Sequence, residues 1–129
     1  MHIDKYKKPD GSYEDPEGCY HEDAESFLQT YALGFCGCGR PEDSMAYVRD
    51  VLQHIDNMEK LVWEKKQTYE EWTAAGKKLF ATDGAEYFAF YVMDDKGLTE
   101  HGGSVPGWLT DKGREMLEDL NEYLANKGI

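Results

Sequence analysis

The sequence predicts a mainly α fold (α+β), with four or five helices and one short β-hairpin just before the last of them. Three observations predict it. Apolar residues recur at three- and four-residue steps over most of the chain. Helix-start and helix-stop residues bracket those runs. A glycine-rich stretch with apolar ends interrupts the pattern between Leu98 and Thr110, as two short strands around an irregular loop would. The 129 residues suit a single domain, 1–129, and a content of 40% hydrophobic and 13% aromatic residues is enough for a core.

In chain order, residues 1–20 carry Pro9, Gly11, Pro16 and Gly18 and read as an extended or partly disordered arm that adds little to the core. A first helix is expected over Glu22 to Leu33, where Ala24, Phe27, Leu28 and Tyr31 share a face and Glu22, Asp23 and Glu25 meet the positive end of the helix dipole. Three glycines between Gly34 and Gly39 end it. Pro41, followed by Glu42 and Asp43, starts the next helix. Its stripe of Met45, Val48, Leu52, Ile55, Met58 and Val62 continues, after a shift, through Tyr69, Trp72, Gly76, Leu79 and Phe80. One long bent helix or two consecutive helices fit this stripe; two are preferred, with a capping box at Asp56-x-x-Glu59 restarting the chain near Asn57. His54 falls toward the polar side and reads as solvated.

From Asp83 to Lys96 helix and strand compete. Tyr87, Phe88, Phe90, Tyr91 and Val92 favour strand by propensity, whereas a capping box at Asp83-x-x-Glu86 and the stop at Gly97 favour helix, which is preferred. Thr110 then caps a last helix that buries Met116, Leu117, Leu120, Tyr123 and Leu124 and ends at Gly128.

Charge narrows the function classes. The formal net charge is -12, from 26 acids against 14 Lys and Arg, which disfavours direct binding to nucleic acid or to anionic membranes. Acidity is uneven: eight acids face two bases from His21 to Glu59, three face five from Lys60 to Thr82, and five face one from Asp83 to His101. The absence of an apolar run of membrane-spanning length or of a signal-like N-terminus, and the odd set Cys19, Cys36 and Cys38, lead to a cytoplasmic expectation.

The run Trp108-Leu109-Thr110-Asp111-Lys112-Gly113-Arg114-Glu115-Met116-Leu117, placed behind a hairpin, resembles the end of a winged-helix domain, where a wing strand enters a Leu-Thr-x-x-Gly-x-x-x-Leu helix start. Gly97-Leu98-Thr99-Glu100-His101-Gly102 and Cys36-Gly37-Cys38-Gly39 resemble segments of small bacteriophage and prophage proteins of no assigned chemistry. The first resemblance implies a wing and a DNA-reading helix. Here the helix before the wing carries Asp83, Glu86, Asp94 and Asp95 against Lys96 alone, so it would repel a duplex, and protein contacts are the expectation for those four acids.

Two further constellations carry residue types suited to chemistry. Cys19, His21, Cys36 and Cys38 offer four soft or borderline ligands of the kind zinc takes, but their spacing is unlike that of common zinc modules, and a glycine turn with small buried thiols is the favoured reading. His101, between Glu100 and Gly102, reads as a metal ligand, an acid/base group or a structural hydrogen bonder; the structural reading is favoured, since no nucleophile can be placed beside it. No Walker loop, nucleophile elbow, dinucleotide fingerprint or H-E-x-x-H motif occurs, so no catalytic residue is assigned. The leading expectation is a non-enzymatic acidic protein, phage-encoded, that binds and inhibits a basic host nucleic-acid-binding or defence protein. The alternatives are a zinc-stabilised winged-helix-like regulatory module and a small hydrolase or nucleotide-binding enzyme using His101.

Overall fold

The computed structural model describes residues 1–29, 41–102 and 105–128. Among these the chain is mainly α, with five α-helices and two small antiparallel hairpins, the second directly ahead of the last helix as the sequence predicts. The chain divides into two compact units, Met1–Arg49 with Glu115–Ile129, and Asp50–Arg114.

In the first unit, the N-terminal residues expected as an arm are folded. A 3-10 turn, His2–Tyr6, precedes strands β1 (Tyr13–Glu14) and β2 (Tyr20–His21), with Tyr13 opposite His21. Local polar closure holds this hairpin: Asp15 accepts the backbone N–H groups of Glu17 and Cys19, each at 2.9 Å, and pairs with His21 Nε2 at 2.7 Å. Ile3 and Tyr13 are buried. The buried Phe27 ring meets Tyr6, Tyr13 and His21 at centroid distances of 5.6, 5.7 and 5.2 Å. Helix α1 (Ala24–Ser26) opens behind Asp23, whose carboxylate accepts the Ser26 N–H at 2.8 Å, so Glu22 lies before the cap rather than inside the helix. Wider helical turns occupy residues 27–29; the rest of the expected first helix, to Leu33, and the run from Gly34 to Gly39 lie outside the described residues.

Helix α2 (Pro41–Asn57) gives this unit Met45 and Val48. Helix α5 (Asp111–Asn126) gives it Met116, Leu117, Leu120 and Leu124, buried as its stripe predicts, whereas Tyr123 of the same stripe is half-buried. Asp119, also buried, accepts the N–H groups of His2 and Ile3 at 2.7 and 3.0 Å. A charged residue on an apolar helix face is thereby the acceptor that anchors the N-terminal backbone.

The second unit takes Val51, Leu52 and Ile55 from α2, which passes at Met58–Val62 into a π-helical segment instead of restarting behind a cap. Asp56, expected to cap there, is buried and pairs with Lys60 Nζ at 2.7 Å and Arg114 Nη1 at 3.5 Å. The restart comes at Thr68, whose hydroxyl accepts the Glu71 N–H at 3.1 Å and opens α3 (Tyr69–Leu79). His54 is buried, contrary to its expected solvation. Its ring lies flat on Trp72, with centroids 4.1 Å apart and planes at 8°, and Trp72 Nε1 donates to the His54 carbonyl at 2.7 Å. Gly76 permits this approach, since a Cβ there would sit 2.7 Å from His54 Nε2.

The aromatic run forms helix α4 (Asp83–Asp95), capped one residue earlier than expected: the Thr82 hydroxyl accepts the Ala85 N–H at 3.0 Å. Strands β3 (Thr99–Gly102) and β4 (Val105–Leu109) pair antiparallel, Thr99 opposite Leu109, with an irregularity between Glu100 and Gly102. Thr110 caps α5 as expected, accepting the Gly113 N–H at 3.1 Å and donating to the Gly97 carbonyl at 2.6 Å. A Cβ on Gly113 would fall 1.9 Å from the Leu98 carbonyl oxygen. The Leu-Thr-x-x-Gly sequence is thus explained by a cap and a close backbone approach, both within this unit.

Candidate functional site

Helix α4 carries apolar residues on two faces, one buried and one exposed. Ala89 and Met93, four residues apart, are buried, whereas Tyr87, Phe88 and Tyr91 are 75, 58 and 61% exposed. The exposed rings and Asp95 recur at three- and four-residue steps and so lie on one side of the helix; Asp83, Tyr87, Tyr91 and Asp94 follow each other along its edge. A helix that is apolar on two sides is either enclosed or presents one side to another molecule. Three neighbouring aromatic side chains, each more than half exposed, present more apolar area than scattered exposure normally gives.

Beside this face lies a cleft of about 300 Å³, lined by Ile55 of α2, Tyr87, Phe90, Tyr91 and Asp94 of α4, and Thr99 and His101 of β3. Its walls are apolar and aromatic, and its polar groups converge on one carboxylate. Asp94 Oδ1 accepts from the Thr99 hydroxyl at 3.1 Å, and Oδ2 pairs with Nδ1 of His101. Helix and strand therefore hold the Asp94 carboxylate in a fixed orientation, because both partners sit on the strand that follows the Gly97 turn. The imidazole of His101 is oriented through Nδ1 by the same contact.

The four acids expected to form an interaction surface separate into two roles. Asp83 and Asp95 are exposed, while Glu86 and Asp94 are half-buried and Asp94 is engaged by Thr99 and His101. Of the four candidate zinc ligands, Cys36 and Cys38 lie outside the described residues. Cys19 is exposed at the β1–β2 turn, and His21 is buried with Nε2 on Asp15. Among the described residues no group of three or more His, Cys, Asp or Glu side chains is arranged to hold a metal ion.

Sequence reasoning placed Asp94 and His101 in separate arguments and did not join them, since their contact spans a helix terminus, a glycine turn and a strand. It also used the α4 rings only to weigh helix against strand and assigned them no exposure. The available signal was the double periodicity of α4: Ala89 and Met93 on one face, Tyr87 and Tyr91 on another. Set against family models, curated proteins and solved structures, the chain finds no match in any of the three comparisons.

Proposed function

We propose that this chain is a non-enzymatic protein that acts by binding another protein through the outward face of α4, and that its partner presents a basic surface. The observation that carries the reading is the pair Tyr87 and Tyr91, exposed one helical turn apart beside Asp83 and Asp95. Exposed tyrosines supply large contact area at low entropic cost, and fixed carboxylates beside them select cationic partners and speed encounter. Proteins that bind nucleic acid present such basic surfaces. The likeness of Gly97 to Gly102 to segments of phage proteins extends the reading: the chain is phage-encoded and occludes the nucleic-acid-binding face of a host or defence protein in the host cytoplasm. Among the described residues no helix is long and apolar enough to cross a membrane, which is compatible with a protein partner.

Tagged wild-type chain and a Tyr87→Ser/Tyr91→Ser variant, each checked by circular dichroism, test this by capture from a lysate of the source cell. Wild type should retain a Lys/Arg-rich nucleic-acid-binding protein that salt releases, and the variant should not. Retention of no basic protein, or equal retention by both, would overturn the reading.

One observation favours a second reading, a small hydrolase. His101 is oriented by Asp94 at the edge of a cleft, the arrangement by which a carboxylate prepares an imidazole to take a proton from water. It requires turnover of an activated ester that His101→Gln abolishes; a rate unchanged by that substitution removes it.

A further inference from the structure

The cleft beside α4 has features that specify what the partner inserts. We propose that it is a receptor for one arginine side chain of the protein partner, with the guanidinium on the Asp94 carboxylate and its flat face against the Tyr87 and Tyr91 rings. The inference rests on the docking reading above and names the contact that makes it selective.

Four observations support it. The volume, about 300 Å³, lies at the small end of ligand pockets, a size for one side chain rather than for a dinucleotide or a large cofactor. The lining pairs an apolar floor and walls, Ile55 and Phe90, with tyrosine rings at the mouth that are themselves mostly exposed. An aliphatic stem can lie on the former while a cation meets the latter.

The third observation is the state of Asp94. Each of its oxygens receives one hydrogen bond, from Thr99 and from His101, and a carboxylate oxygen accepts two. The group is held still and keeps acceptor capacity on both oxygens, which is what a bidentate guanidinium requires. An ammonium would meet the charge but not the fork, and its stronger hydration makes stacking on tyrosine less favourable, so arginine is selected over lysine. The fourth is the surrounding charge. Glu100 on β3 and Asp83 and Asp95 on α4 are exposed near this helix and strand, so the local field draws a cation toward the cleft. Tyr87 and Tyr91 belong both to the cleft and to the exposed face, which makes the pocket continuous with the surface on which the partner docks.

The experiment measures, by fluorescence anisotropy, the affinity of the full chain for labelled octa-arginine, octa-lysine and octa-citrulline. Octa-citrulline keeps the shape of the arginine side chain without its charge. The expected result is tighter binding of octa-arginine than of octa-lysine by threefold or more, with no measurable binding of octa-citrulline. Tyr91→Leu, which keeps an apolar side chain at an exposed site, and Asp94→Asn should each weaken octa-arginine binding by about fivefold to tenfold and erase the preference over lysine. Chemical shifts of Thr99 and His101 should move with arginine in the wild type. Equal affinity for both cationic peptides, insensitive to Tyr91→Leu and Asp94→Asn but lost on Asp83→Lys/Asp95→Lys, would overturn the arginine pocket and leave the docking face standing. Absence of binding to either cationic peptide would overturn both. If Asp94→Asn alters the circular dichroism spectrum, Tyr91→Leu decides the question.

Discussion

Each unit encloses one histidine, and the two are solved in opposite ways. His21 in the first unit and His54 in the second are 5 and 7% exposed, and both pack against aromatic rings. His21 has a carboxylate at 2.7 Å, Asp15. His54 has Trp72 stacked on it and Phe80 edge-on, and its burial without a charged partner pushes its pKa down to about 4. Similar burial thus leaves one unit sensitive through a carboxylate and the other through an imidazole. The hydrogen bond from His21, with two backbone N–H groups, holds the Asp15 carboxyl below its usual range.

The largest expected effect that tests this contrast is Trp72→Ala. Removing a buried tryptophan costs about 3–5 kcal/mol, and water would then reach His54. Urea denaturation should show that loss in unfolding free energy for the second unit, with the pKa of His54 rising back toward its ordinary value. A loss below 1 kcal/mol would mean that the stack contributes little to the packing of α3.

The pH dependence follows, and its sign differs between the units. Unfolded His54 takes a proton near its ordinary pKa of 6.5, whereas folded His54 resists until about 4. The unfolded state therefore binds more protons in this window, and stability falls as pH drops from about 6.5 to about 4, by on the order of 3 kcal/mol in total. Asp15 behaves otherwise: with its folded pKa depressed, its contribution is present above its unfolded value of 3.8 and is lost as pH falls through the lower folded one. Amide-exchange protection should accordingly decline in α3 already between pH 6.5 and 4, and in the β1–β2 hairpin only below that. His54→Phe should flatten the first decline and leave the second; an unchanged decline in α3 would place the acid sensitivity elsewhere.

A third test concerns the first unit alone. Burial raises the pKa of Asp119, while the N–H groups of His2 and Ile3 draw it back. Asp119→Ala leaves those two donors without their acceptor and should destabilise by about 1–3 kcal/mol. Loss of exchange protection at residues 2–3 with little change in the second unit checks it.

What was legible in the sequence follows from the range of the interactions involved. The apolar stripes of α2, α3 and α5, the Thr110 cap and the hairpin before the last helix are local patterns, and the structure has them, except that Tyr69 at the head of α3 is exposed and Val62 and Tyr123 are only half-buried. Asp15, Asp119 and His54 are different: a polar residue reads as exposed unless its partner is known, and these partners are a turn, a backbone 116 residues away and the ring of Trp72. Asp56 shows the same failure, since Asp56-x-x-Glu59 spells a capping box and Arg114 cannot be foreseen beside it. The cleft was beyond reach for the same reason, its carboxylate and imidazole being joined only by the turn at Gly97.

The smallest expected change in stability sharpens the contrast within the second unit itself. Trp72 and Tyr91 are both aromatic residues on its helices, one buried and one 61% exposed. Tyr91→Ser should alter the unfolding free energy by no more than about 0.5 kcal/mol, as substitutions at exposed positions do, whereas the same change should remove most of the affinity for a basic partner. A Tyr91 that neither stabilised the fold nor bound a partner would leave the exposed pair Tyr87 and Tyr91 on this acidic helix without a role. If Tyr91→Ser instead destabilises by more than 1 kcal/mol, the ring belongs to the packing of α4, and the docking face must be sought on another surface.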